Sequence, residues 1–155
     1  MSFEITSSAF DKGEVIPAKY TCDGSDRSPG LTWHGVPREA KSLVLVSDDP
    51  DAPAGSWVHW VVYNIPAGAS GLAEGVPPEE IVEHGAAQGR NDFGRLGYGG
   101  PCPPPGKPHR YFFRLFALDA NLKLPPGLQR SEVMERVKDH ILTETQVMGY
   151  YSRSR

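Results

Sequence analysis

Two histidines, two aspartates and a tyrosine stand where a packed core has no use for them. His59 interrupts an apolar run, Val58-His59-Trp60-Val61-Val62-Tyr63-Asn64-Ile65. His109 and Tyr111 bracket Arg110 at the start of another. Asp49 and Asp51 lie in Asp49-Pro50-Asp51-Ala52-Pro53, where the prolines fix the backbone φ. Taken singly, each has an ordinary explanation. A lone histidine in a strand is more often a hydrogen-bonded core residue than a ligand. Asp-Pro and Ala-Pro pairs are common turn formers, and Trp57, Trp60 and Trp33 could all be plain core. Together, each beside a rigid loop at a strand edge, they outline a pocket. Two imidazoles and a phenol can each donate to an anion such as phosphate, acetate or sulfate. Asp49 would then accept from an imidazole, fixing its tautomer and favouring its protonated form. On that reading anion affinity falls as pH rises past the histidine pKa. The same parts could also make a two-His-one-carboxylate metal site or a general acid and base. A metal-dependent or acid/base hydrolase is therefore the alternative, although no nucleophile is evident.

The strands that must position these groups are short β-branched or aromatic runs between turn residues. Ser42-Leu43-Val44-Leu45-Val46-Ser47 is apolar on both faces and reads as a central strand. In the run after Trp57, alternation puts His59, Val61 and Tyr63 on one face, with Val58, Trp60 and Val62 on the other. Trp57 then shares the His59 face. A third strand covers Arg110 to Leu118, with Tyr111, Phe113 and Leu115 on one face. Weaker strands are expected near Phe3 to Ser7, Ala18 to Thr21 and Val147 to Tyr151. One helix is expected, capped by Ser131, with Val133, Val137 and Ile141 at four-residue spacing and Met134 and Leu142 beside them. Pro77 to Val82 reads as a shorter helical turn. Strands dominate without a βαβ rhythm, so the fold class is mainly β and antiparallel, in two sheets, with a helix near the C-terminus.

Composition excludes several functions. The 155 residues suit one domain spanning 1–155. The net charge is only −3, with Lys and Arg scattered, so no nucleic-acid footprint is present. No apolar run reaches the ~20 residues of a membrane span, and the N-terminus lacks the pattern of a secretory signal. These features point to a cytoplasmic protein. Cys22 and Cys102 accordingly read as free thiols in a reducing cytosol; a bridge between them would need a contact that sequence alone does not give. The chain has no Gly-x-Ser-x-Gly elbow, no Walker loop, no His-Glu-x-x-His and no Cys-x-x-Cys. No cofactor and no metal are expected. The excess of glycine and proline is concentrated between residues 94 and 108 and reads as one long structured loop.

The order of these segments is specific. Asp49-Pro50-Asp51-Ala52-Pro53, then Trp57-Val58-His59-Trp60, then Gly100-Pro101-Cys102-Pro103 leading to His109-Arg110-Tyr111, resembles the phosphatidylethanolamine-binding protein (PEBP, or Raf kinase inhibitor-like) family. Tyr20-Thr21-Cys22-Asp23-Gly24, Val62-Tyr63-Asn64-Ile65-Pro66 and Asn91-Asp92-Phe93-Gly94 resemble its bacterial and archaeal branch. The likeness runs from about Ile16 to Asp119, and Gly149-Tyr150-Tyr151 fits as well. One departure is Ser28-Pro29-Gly30-Leu31, where Ser-Pro-Pro-Leu is usual. The resemblance implies a large central antiparallel sheet flanked by a smaller one. It places a ligand-binding pocket on Asp49, His59, His109 and Tyr111, walled by Ala52, Pro53, Trp57 and the loop at Gly100 and Pro101. It implies a non-catalytic module for a small anion, phosphate or a phosphorylated headgroup. It also implies a homodimer and leaves room for a regulated protein partner. The chain is shorter than eukaryotic members, so their kinase-inhibitory role is not carried over.

Overall fold

The computed structural model describes residues 2–154. Its chain order is β1 (Glu4–Ser7), β2 (Leu31–His34), β3 (Ser42–Asp49), β4 (Trp57–Pro66), β5 (Gly71–Leu72), β6 (Ala87–Gln88), β7 (His109–Leu118), α1 (Arg130–Val137) and β8 (Ile141–Tyr151). Five strands form a central antiparallel sheet in the order β6-β4-β3-β7-β8, and three form a small one in the order β1-β2-β5. β3 is buried along its whole length of eight residues. This suits a run that is apolar on both faces. Among the described residues no helix is long and apolar enough to cross a membrane.

The two faces of the central sheet carry separate cores. Leu43, Leu45, Trp60, Val62, Tyr111, Phe113 and Leu115 pack toward the small sheet, against Ile5, Leu31, Trp33 and Leu72. Val44, Val46, Val58, Val61, Tyr63 and Phe116 pack toward α1, through Val133 and Val137. Burying such faces is the main favourable contribution to folding. The candidate site lies at one end of the first face.

Strand β4 departs from simple alternation. Ser47 pairs with Trp60 but the next residue, Asp48, pairs with Val58, so His59 is an extra residue in β4. Such a bulge turns two consecutive side chains to one side and re-aims the rest of the strand. His59 therefore does not share a face with Val61 and Tyr63. It contacts Tyr111 on the side where Trp60 and Val62 are packed.

Four other expectations are corrected. The helix ends at Val137, and its N-cap is Gln129, not Ser131. After one 3-10 turn, Ile141 and Leu142 open β8, which pairs with β7 along its length. Ile141, Thr143, Thr145 and Val147 alternate as β-branched residues, which are stiff in helices and pack well in sheets. Ala18–Tyr20 forms a 3-10 turn rather than a strand, closed by Thr21 Oγ1 donating to the Ala18 carbonyl at 2.8 Å. Pro77 to Val82 is not helical, and a short 3-10 turn follows it at Glu83–Gly85. The cysteines are not free: Cys22 and Cys102 form a disulfide across a Cα–Cα distance of 5.4 Å. The chain brings them together because the Cys22 N–H donates to the Pro101 carbonyl at 3.1 Å.

Candidate functional site

Asp49 ends β3, Trp57 and His59 open β4, and His109 and Tyr111 open β7. Antiparallel pairing of β3 with both neighbours gathers these ends at one edge of the sheet. There they line a cavity of about 210 Å³ together with Ala52, Pro53, Phe93, Cys102, Pro103 and Pro104. Small-molecule sites commonly enclose ~300–1,000 Å³, so this one is at the small end of that class.

The walls are held by polar contacts behind them. Asp49 Oδ1 accepts from the Asp51 N–H at 2.7 Å, which folds the Pro50 turn. Asp51 faces away from the cavity and grips β7. It accepts from the Arg110 backbone N–H at 2.9 Å, from Arg110 Nε at 3.0 Å and from Nη2 at 2.9 Å. These hydrogen bonds hold the Asp51 carboxyl down at about 2. A bidentate Arg–carboxylate pair fixes geometry as well as charge, and here it anchors the loop that carries Ala52 and Pro53. On the other side, Asp92 Oδ2 accepts from the Val58 N–H at 2.7 Å. Asn91 Oδ1 accepts from the N–H groups of Phe93 at 2.9 Å and Arg95 at 3.2 Å. This turn sets the Phe93 ring edge-on against Trp57 and His59.

Gly100 and Pro101, expected as pocket walls, stand one layer back. The Gly100 N–H donates to Asp26 Oδ1 at 2.8 Å, and the Gly99 N–H donates to the His59 carbonyl at 2.9 Å. The glycine-rich loop therefore spends these amides inside the protein and does not offer them to an anion. Gly100 is needed for a different reason: a Cβ there would collide with the Tyr20 carbonyl oxygen. Cys102, Pro103 and Pro104 take the wall position instead. Phe93 and these three residues were not identified from sequence. The signal for Phe93 was the Asn91-Asp92-Phe93-Gly94 turn; for Cys102 it was the proline run around it.

The two histidines differ. His109 Nδ1 lies 2.7 Å from Asp49 Oδ2 and donates to it. His59 is buried, and its Nδ1 donates to the Gly99 carbonyl at 2.6 Å. Burial pushes the His59 pKa below its ordinary value, against the opposing pull of the Gly99 carbonyl and the Asp49 carboxylate. His59 is thus a neutral imidazole at neutral pH whose N–H is spent on the Gly99 carbonyl, and the expectation that both imidazoles donate to an anion is corrected at this ring. Tyr111 stacks on His109 and meets His59 edge-on. Burial, then the Asp49 carboxylate, raise its pKa well above the ordinary tyrosine value, so its hydroxyl keeps its proton.

Two donors at the cavity are unpaired. Among the described residues, Trp57 Nε1 and Tyr111 Oη are buried and make no hydrogen bond of acceptable geometry; the Asp49 carboxylate is near enough to the Tyr111 hydroxyl to raise its pKa, but its oxygens already accept from the Asp51 and His109 N–H groups. The other two indoles are satisfied: Trp33 Nε1 donates to the Ala69 carbonyl and Trp60 Nε1 to Gln88 Oε1. Among the described residues, no group of three or more His, Cys, Asp or Glu has an arrangement that could hold a metal.

The family model for phosphatidylethanolamine-binding protein matches residues 6–152. A UPF0098 protein of Methanothermobacter thermautotrophicus is 53% identical over 145 residues, covering 94% of this chain and 95% of that one. A UPF0098 protein of Aquifex aeolicus is 51% identical, covering 97% and 88%. Among solved structures, a PEBP homologue from Chlamydia trachomatis aligns with TM-score 0.89 and 42% identity, covering 99% of each chain. YbcL of Escherichia coli, described as a member of the mammalian PEBP family, aligns with TM-score 0.92 and 34% identity, covering 99% of this chain and all of that one.

Proposed function

The chain belongs to the phosphatidylethanolamine-binding protein family, and from that premise we propose that it is a non-catalytic module whose His/Asp/Tyr cavity binds a small anion, phosphate or a phosphorylated headgroup. The observation that carries this reading is the pair of buried, unpaired donors, Trp57 Nε1 and Tyr111 Oη, on one cavity. A buried donor without a partner costs ~1–3 kcal/mol, and an oxyanion supplies acceptors for both. Asp49, His59, His109 and Tyr111 are the proposed ligand-binding residues, with Ala52, Pro53 and Trp57 around them; Gly100 and Pro101 act only by holding the loop. The cavity volume of about 210 Å³ favours a headgroup without acyl chains. Calorimetry with inorganic phosphate tests the reading. Saturable binding to the wild type, weakened about ten-fold in Tyr111→Phe by loss of one hydrogen bond to a charged group, supports it. Absence of saturable binding sinks it.

An acid/base hydrolase has one feature in its favour, the His109 ring oriented by Asp49 at 2.7 Å, an arrangement that suits a general base. A phosphatase and esterase screen separates the readings: turnover abolished by His109→Ala would replace the binding module with an enzyme. The homodimer and a ligand-dependent protein partner complete the proposal. Light scattering tests the first, and a pull-down with and without phosphate tests the second. The free-thiol expectation followed from a cytoplasmic location, and the Cys22–Cys102 disulfide weighs against that location, since disulfides persist mainly in oxidising compartments.

A further inference from the structure

The cavity holds acceptors as well as donors. His59 Nδ1 faces the Gly99 carbonyl at 2.6 Å. A carbonyl oxygen can only accept, so Nδ1 carries the ring proton. The second ring nitrogen, Nε2, then bears a lone pair; the ring's one hydrogen bond of acceptable geometry among the described residues is that at Nδ1, with the Gly100 backbone near enough to pull the pKa upward against burial. Burial among the rings of Phe93 and Tyr111 opposes a second proton. The carboxylates nearest in effect are those of Asp49 and Asp26, and neither hydrogen-bonds to the ring. On β7, His109 and Tyr111 complete its polar surroundings. Asp49 is a further acceptor, already taking N–H donors from Asp51 and His109.

A guest must therefore accept from Trp57 Nε1 and Tyr111 Oη and also give a hydrogen bond to His59 Nε2. A fully ionised oxyanion meets the first demand but turns a lone pair toward the imidazole lone pair. We infer that the cavity selects oxyanions that still carry a proton, such as hydrogen phosphate or a phosphate monoester monoanion, over hydrogen-free oxyanions of the same shape and charge. His59 is the specificity-determining residue, acting as acceptor for the ligand's hydroxyl. This inference rests on the anion-binding reading above. Sites that hydrogen-bond a ligand hydroxyl discriminate strongly against analogues lacking it, because the site's own polar group is left unpaired.

Inorganic phosphate and sulfate form the test pair. At about pH 8, above both the second phosphate pKa and the ordinary histidine pKa, the His59 ring is neutral, both ions are predominantly tetrahedral dianions, and only phosphate carries a proton. Calorimetric titration of the wild-type protein is expected to show sulfate binding roughly 10- to 100-fold more weakly. Equal affinities, or tighter sulfate, would overturn the selection while leaving anion binding intact. If neither ligand binds, the anion reading falls and takes the selection with it. His59→Phe keeps a ring against Phe93 and Tyr111 and removes the acceptor. In that variant, if folded, the affinity ratio is expected to approach one; an unchanged ratio would overturn the assignment to His59. The wild-type comparison stands if the variant does not fold.

Discussion

Asp48 and Asp49 are neighbours on β3 and serve opposite faces of the central sheet. Asp49 turns to the cavity and His109. Asp48 turns to the helix side, where it accepts from Arg114 Nε at 3.1 Å and Arg130 Nη1 at 3.1 Å. One carboxylate thus ties α1 to the sheet, and the next orients a cavity-facing ring. Their mutations should separate cleanly. Asp48→Ala leaves two partly buried guanidiniums without their shared partner and is expected to destabilise the fold by roughly 3 kcal/mol. Phosphate affinity should be unchanged in the remaining folded protein. Asp49→Ala is expected to weaken binding by an order of magnitude with a smaller loss of stability. Urea denaturation beside calorimetry reads both effects.

The Asp51–Arg110 pair gives a pH signature. The pair holds the Asp51 carboxyl at about 2, below its ordinary value of 3.8. Because the folded-state pKa is depressed, the stabilisation is complete above the unfolded value and is lost as pH falls through about 2. Stabilities of wild type and Asp51→Asn should therefore converge at the acid end, diverge as pH rises to about 3.8, and stay parallel above it. The separation should be small and should shrink further in salt, because both side chains are partly solvated.

Phe93 shields the cavity, and its ring edges contact Trp57 and His59. Phe93→Ala admits water to the His59 ring. Burial is the largest cause of the lowered His59 pKa, so the pKa should rise in the variant. Titration of the His59 ring proton by NMR checks the direction; no change would mean that other parts of the protein keep the ring dry.

The fold was legible in sequence wherever one strong pattern ruled. β3 announced itself as an unbroken apolar run, and Arg110 to Leu118 alternated cleanly. Sequence patterning failed where a local signal was ambiguous or a contact was long-range. Val137 and Ile141 keep helical spacing, but Ile141, Thr143, Thr145 and Val147 also keep strand spacing, and a partner strand was available in β7. The bulge at His59 has no composition of its own; it appears only in the register of β4 against β3. Within the candidate site, the chemically distinctive Asp49, His59, His109 and Tyr111 stood out by type. Phe93 and Cys102 did not, since both reach the cavity from loops distant in sequence. The disulfide joins residues 80 positions apart, a distance over which sequence spacing says nothing.

That disulfide should matter for the cavity as well as for stability. Cross-linking across 80 residues restricts the unfolded chain and is worth on the order of 4 kcal/mol. Cys102 is itself part of the wall with Pro103 and Pro104. The Cys22→Ser, Cys102→Ser double variant is expected to unfold at markedly lower urea and to bind phosphate several-fold more weakly. Equal urea midpoints would show that the bridge adds no net stability.

The central claim is tested most directly at the Trp57 indole. The protein has three tryptophans, and two of their N–H groups are already committed to Ala69 and Gln88. A two-dimensional ¹H–¹⁵N NMR titration with phosphate, assigned with Trp57→Phe, should move the Trp57 Nε1–H resonance downfield in a saturable manner and leave the Trp33 and Trp60 resonances nearly still. A Trp57 signal that stays in place through the titration would contradict anion binding in this cavity.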